Sequence, residues 1–121
     1  MSKKTTQTTS IDKSAAQKIL RSVPYNQGFH FFIGVGKYTG ETAIDLFAFY
    51  EELRVIESES LSFHFPRHDF QKWITETLGD SELADRIDRI SSQQPEEKMK
   101  RELVETLEAR LSELQALAND P

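Results

Sequence analysis

Three histidines, His30, His64 and His68, each stand beside aromatic residues, and Asp69 directly follows His68. Imidazole and carboxylate groups are ligands for zinc or iron. His30, His64, His68 and Asp69 are therefore the one candidate set for a small metal-dependent or ligand-binding enzyme or sensor. The spacing works against it. His64 and His68 share a helical face only if a helix runs unbroken between them, and Pro66 stands in the gap. Proline inside a helix removes a hydrogen bond and clashes with the preceding turn. As the first residue of a following helix it is well placed, which puts the two histidines in different elements. The expected role of His64 is thus a buried, hydrogen-bonded structural one, with no metal and no cofactor. Arg67 and Asp69 fit the same picture: an acid in a helix's first turn complements the dipole, and a neighbouring arginine ties down a loop. His64, Arg67, Asp69 and Trp73 form the candidate structural or ligand cluster.

Other chemistries fail on residue type. Phe29–Gly40 runs from an aromatic strand into a glycine turn with Lys37, as phosphate loops do. The loop's first glycine position holds Phe31, however, and Tyr38 stands where Ser or Thr should bind magnesium. No G-x-S-x-G nucleophile elbow occurs. The absence of cysteine removes disulfides, thiolate metal sites and thiol catalysis together. No catalytic residue is assigned.

The elements that must position these residues are mostly helical. Ile11, Ala15, Ala16, Ile19 and Leu20 repeat at helical spacing, with Ser10 placed to cap and Pro24 beyond the stop. Phe29–Val35 reads as a strand punctuated by Gly28, Gly34 and Gly36. A helix is expected from about Glu41 to Val55, apolar over much of its circumference. Residues 57–65 are ambiguous between a strand, from the alternation of Leu61, Phe63 and Phe65, and a helical turn capped at Ser60. Phe70, Trp73, Ile74, Thr77 and Leu78 make one amphipathic stripe, and Gly79 suits its end. Asp80 or Ser81 then caps a helix carrying Leu83, Ala84, Ile87 and Ile90. Beyond SSQQP, Val104, Leu107, Leu111, Leu114 and Ala118 step as a heptad seam, and Glu96 and Lys100 are spaced for an ion pair.

The 121 residues carry a net charge of −5, unevenly spread: Lys3, Lys4, Lys13, Lys18 and Arg21 make the N-terminal arm basic, while residues 41–60 are acidic. A protein that binds nucleic acid generally needs a basic face to neutralise phosphates, so no nucleic-acid partner is expected. No apolar run approaches the roughly 20 residues of a membrane span. MSKKTTQTTS has basic residues without a hydrophobic region behind them, so no membrane partner is expected, and a cytoplasmic location is.

Taken in order, F-H-F-F, G-K-Y-T-G, A-I-D-L-F-A-F, S-L-S-F-H-F, R-H-D-F-Q-K-W-I and G-D-S-E-L-A resemble the small uncharacterised domain family DUF5752. The resemblance runs from Phe29 to Ile90 and implies no activity. It implies signature positions at Gly36, Thr39, Gly40, Ala43, Leu46, Phe49, Ser60, His64, Arg67, Asp69, Phe70, Trp73, Leu83 and Ala84. His68 departs from it, standing where a smaller or different residue is expected. A related segment in larger proteins with phosphoenolpyruvate- or pyruvate-binding domains implies a further option, sensing of a phosphorylated sugar or carboxylate near Arg67 and Lys37.

The expected architecture is mainly α, α+β at most: a disordered tail at 1–10, a globular domain at 11–90 with a short extended segment or hairpin near 29–39, a linker at 91–95 and a long amphipathic helix at 96–121. The expected core holds Phe32, Ile44, Phe47, Leu53, Phe63, Phe70, Trp73, Ile74, Leu83 and Ile87. The expected function is a non-enzymatic interaction or regulatory module, self-associating or docking a protein partner through Val104, Leu107, Leu111 and Leu114.

Overall fold

Asp12 starts the first helix by accepting the Ala15 N–H at 2.9 Å, and α1 (Lys13–Leu20) buries Ala16 and Ile19. The computed structural model describes residues 11–120, so the tail at 1–10 and the cap expected at Ser10 lie outside the described residues. Arg21 leaves the helix in extended geometry, and a short 3₁₀ turn (Tyr25–Gln27) leads to the hairpin.

The hairpin pairs β1 (Phe29–Phe32) with β2 (Tyr38–Ala43) antiparallel. Phe29 lies opposite Ala43 and Phe32 opposite Tyr38, with a bulge between His30 and Phe32. Gly36 adopts φ 72°, and the loop closes through the Ile33 N–H to Lys37 carbonyl bond at 3.0 Å. Gly28 permits the close approach that starts the hairpin: a Cβ there would meet the Ala43 carbonyl oxygen at 2.7 Å. The helix expected from Glu41 therefore begins later. Tyr38–Ala43 is strand, and Asp45 caps α2 (Leu46–Arg54) by accepting the Ala48 N–H at 2.7 Å.

α3 (Ser58–His64) resolves the ambiguous stretch as helical. α4 (Asp69–Trp73) continues into a wide π turn (Ile74–Leu78) that ends at Gly79, φ 87°, where the N–H groups of Gly79 and Asp80 both donate to the Ile74 carbonyl. Asp80 then caps α5 (Ser81–Asp88), and α6 spans Glu96–Ala118. The fold is thus mainly α with a small hairpin. No helix among the described residues is long and apolar enough to cross a membrane.

The core corrects the expected one at several positions. In β1 the buried side chains are Phe29 and Phe31, and Phe32 is half-buried with Phe63. In α2 they are Leu46, Phe49 and Leu53. Ile44 and Phe47 face outward instead, Phe47 with 52% exposure. Glu96 and Lys100 reach apart rather than pairing: Glu96 accepts from Ser62, and Lys100 donates to the Ile56 carbonyl.

α6 gives the largest correction. Met99, Leu103, Leu107, Arg110, Leu111 and Leu114 are buried in the same core as α1, α2 and α5. Leu107, Leu111 and Leu114 are therefore covered by the chain's own helices and present no free docking face. Leu103, not Val104, leads the buried row, and Val104 is half-buried. Arg110 goes inward with its leucine neighbours and is 1% exposed. It donates from Nε and Nη2 to the two carboxylate oxygens of Asp80, each at 2.9 Å.

Two substitutions on α6 read this placement. Leu107→Ala is expected to cost about 2–5 kcal/mol of unfolding free energy in a urea titration, the range for a leucine lost from a packed core. Val104→Asp, on the half-exposed flank, is expected to cost about 1 kcal/mol or less. Equal costs at the two positions are incompatible with the inward face described.

Candidate functional site

Pro66 and the left-handed His68 turn the chain sharply between α3 and α4, and this turn brings Asp69 back onto His64. The Asp69 Oδ2 oxygen lies 2.8 Å from His64 Nδ1 and accepts from Arg67 Nε at 2.9 Å. On its other side, His64 Nε2 accepts the Phe32 backbone N–H at 2.9 Å. A backbone amide can only donate, so Nε2 carries the lone pair and Nδ1 carries the proton that goes to Asp69. Both ring nitrogens are therefore committed. The ring is buried among Phe29, Phe63 and Phe70, with centroids 4.8, 5.0 and 5.7 Å away. Burial pushes the His64 pKa below its ordinary value, and the Asp69 hydrogen bond offsets this only in part. The imidazole is neutral at pH 7.

Trp73 belongs to the same wall but not to the polar cluster. Its indole N–H donates to the Gln27 carbonyl at 2.8 Å, and its ring packs against Phe49. The other two histidines bond to different partners. His30 Nδ1 lies 2.7 Å from Thr42 Oγ1 across the hairpin, and His68 faces Gln71 and Asp88. The structure does not bring the three imidazoles to one point. No group of three His, Cys, Asp or Glu side chains positioned to hold a metal ion occurs among the described residues.

Beside His64 a groove of about 400 Å³ opens between the hairpin loop and the α3–α4 turn. Phe32, Val35 and Phe63 form its apolar walls, and His30, Arg67 and Asp69 its polar margin. Val35 is 84% exposed on the loop above it. The Arg67 guanidinium lies over the Phe63 ring, 4.4 Å from the centroid, and is half exposed. Its Nε is used by Asp69, whereas its two Nη groups make no hydrogen bond among the described residues. The arrangement offers a fixed, forked donor beside an apolar wall, while both nitrogens of the His64 ring are taken by protein groups. The hairpin contribution escapes a reading of the sequence, because the Phe32 amide carries no side-chain signal.

A model of the family of unknown function DUF5752 matches residues 26–120, nearly the whole described chain. The chain belongs to DUF5752. The match extends past the segment that carried the resemblance and takes in α6, so the long helix is part of the DUF5752 unit. Comparisons with curated proteins and with solved structures return no match.

Two outcomes follow from the cluster. With its folded pKa held below the unfolded value of 6.5, His64 contributes stability that is complete above that value and is lost as pH falls toward the folded one. Urea midpoints are expected to drop between pH 7.5 and 5.5. In His64→Gln, where Asp69 and Arg67 remain, that drop should shrink; an identical slope rules out His64 as its source. At position 68, φ 62° strains any residue with a Cβ. His68→Gly is expected to raise stability by about 0.5–1 kcal/mol after the loss of unfolded-state stiffness, read as a higher melting temperature.

Proposed function

We propose that this DUF5752 domain is a non-enzymatic interaction module, and that its working surface is the groove between the hairpin loop and the α3–α4 turn. One observation carries the reading: both His64 nitrogens are committed to protein groups, while the neighbouring Arg67 leaves its Nη fork unpaired at the rim of an apolar groove. A catalytic reading needs a free base, and His64 is not one. A forked guanidinium held by its Nε suits bidentate contact with a carboxylate. The apolar walls suit a ring or aliphatic chain attached to that carboxylate, on a partner's side chain or terminus or on a small acid. Docking through Val104, Leu107, Leu111 and Leu114 is not part of the proposal, since three of these four residues fill the core.

Titration of the folded protein with 4-phenylbutyrate tests it, followed by amide chemical shifts. Shifts are expected at Phe32, Val35, Phe63 and Arg67, and 4-phenylbutanol should bind more weakly. Arg67→Met should weaken phenylbutyrate by about tenfold, the loss of a charge-assisted pair. Equal binding of acid and alcohol, or no shifts near the groove, overturns the reading.

A further inference from the structure

On the other side of the hairpin, β2, the end of α2 and the start of α3 enclose a second hollow of about 280 Å³. Its charged lining is acidic throughout: Glu41 from β2, Glu52 from α2, and Glu57 ahead of α3. Lys100 of α6 donates its ammonium to the carbonyl of Ile56, another residue of the wall, at 3.3 Å. Glu41 and Glu52 line the same hollow from neighbouring elements. Burial first and Glu41 second push the Glu52 pKa above the ordinary carboxylate value. Two carboxylates held together without a counter-charge are unfavourable in isolation.

A second observation stands apart from the acids. Ser60 lines the same hollow and is only 2% exposed, and its hydroxyl has no hydrogen-bond partner among the described residues. A buried hydroxyl without a partner costs roughly 1–3 kcal/mol, so native proteins rarely leave one unpaired. Phe31, Val55 and Ile56 supply the remaining wall, which is apolar. The donor set does not gather tightly enough for a metal ion among the described residues.

We infer that this hollow is a binding site for an organic ammonium ion, whose N–H groups meet Glu41, Glu52 and the Ser60 hydroxyl while its carbon chain lies along Phe31, Val55 and Ile56. An ammonium has three donors and no acceptor, which matches a pocket made of acceptors. The site shares no polar residue with the Arg67 groove and stands or falls independently of it. The same chemistry is offered by a free alkylamine and by a lysine side chain.

Calorimetry and amide chemical shifts with n-butylammonium chloride test the site, with n-butanol and sodium chloride as controls. Saturable shifts at Glu41, Glu52, Val55 and Ser60 are expected with the amine alone. Acetyl-lysine amide, blocked at its α-nitrogen, serves as the second arm. Tighter binding of that compound than of butylammonium marks a lysine of a partner as the source, and the reverse order marks a free amine. Glu52→Gln and Ser60→Ala should each weaken binding by about fivefold, at the upper end for a partly solvated ion pair. Affinity should rise from pH 5 to pH 7.5 as Glu52, whose pKa is raised chiefly by burial, loses its proton, with Glu41, Glu57 and Lys100 facing the same region. Far-ultraviolet dichroism establishes that both variants are folded, and Glu41→Gln replaces Glu52→Gln if the latter is not. Shifts with butylammonium no larger than those with the controls, or undiminished binding in folded variants, overturn the assignment.

Discussion

The fold depends on one buried ion pair. Arg110 and Asp80 are 1% and 2% exposed, and two parallel N–H to oxygen bonds of 2.9 Å join them. Removing either charge from water costs several kcal/mol, so the pair is tolerable only because every strong donor and acceptor finds a partner. Asp80 Oδ1 also accepts the Leu83 N–H and caps α5. Arg110 Nη1 reaches Glu113, which is gripped again by both Nη groups of Arg86, whose Nε goes to Glu82. Burial works against the charge on Arg110, and Asp80 and Glu113 together outweigh it, so its pKa is raised. Burial likewise opposes the charge on Glu113, and the two arginines outweigh it, so its pKa is lowered. Truncating either partner in place would leave the other charge buried and unpaired, at about 3–5 kcal/mol, so α6 and the cap of α5 are tied to one arrangement. That is why a helix with a heptad-like surface pattern belongs to its own domain.

The same principle recurs at smaller scale around His64. A helix residue and a strand amide have no secondary-structure reason to meet, yet the Phe32 N–H to Nε2 bond staples the hairpin to α3. Asp69 fixes the tautomer that makes this possible, and Arg67 holds Asp69 from outside. The edge of β1 is thereby satisfied without a third strand. A two-stranded ribbon is marginal alone. Here it gains a side-chain acceptor and the packing of Phe29 against Phe49, Phe70 and Trp73.

Local signals with a single physical meaning were legible in the sequence. The Gly79 stop, the cap at Asp80, the separation of His64 from His68 by Pro66, and the Phe70 to Leu78 stripe all appear where their residue types place them. Signals with two meanings were not. In F-H-F-F both faces of the strand carry an aromatic, so alternation cannot choose between Phe31 and Phe32, and a one-residue shift exchanges the faces. In α2, Phe47 and Phe49 are equally apolar, and the docking of α2 against α6 and the hairpin decides which one is buried. The leucines of α6 fit a partner's helix or the chain's own core equally well. Arg110, which breaks the apolar row, was the distinguishing residue, but its meaning depends on Asp80, thirty residues earlier in the chain. The His64 cluster was visible as a set of types; its chemistry was not, because the residue that neutralises His64 as a base is a backbone amide of β1.

One strand separates two hollows of opposite character. Phe32 lines the groove with the Arg67 fork, and Phe31, its neighbour, lines the hollow with Glu41 and Glu52. This follows from the two-residue period of a strand: alternate side chains reach opposite sides, so a four-residue ribbon serves two walls at once. The polar positions implied by the DUF5752 resemblance divide in the same way, with His64, Arg67 and Asp69 at the groove and Thr39 and Ser60 at the acidic hollow. A folding signature alone would place its polar members where they answer one another, as His64 and Asp69 do. Among the described residues Ser60 answers nothing, and Arg67 answers with only one of its three nitrogens. Both incomplete groups belong to residues that line hollows, and the two proposed sites rest on that coincidence.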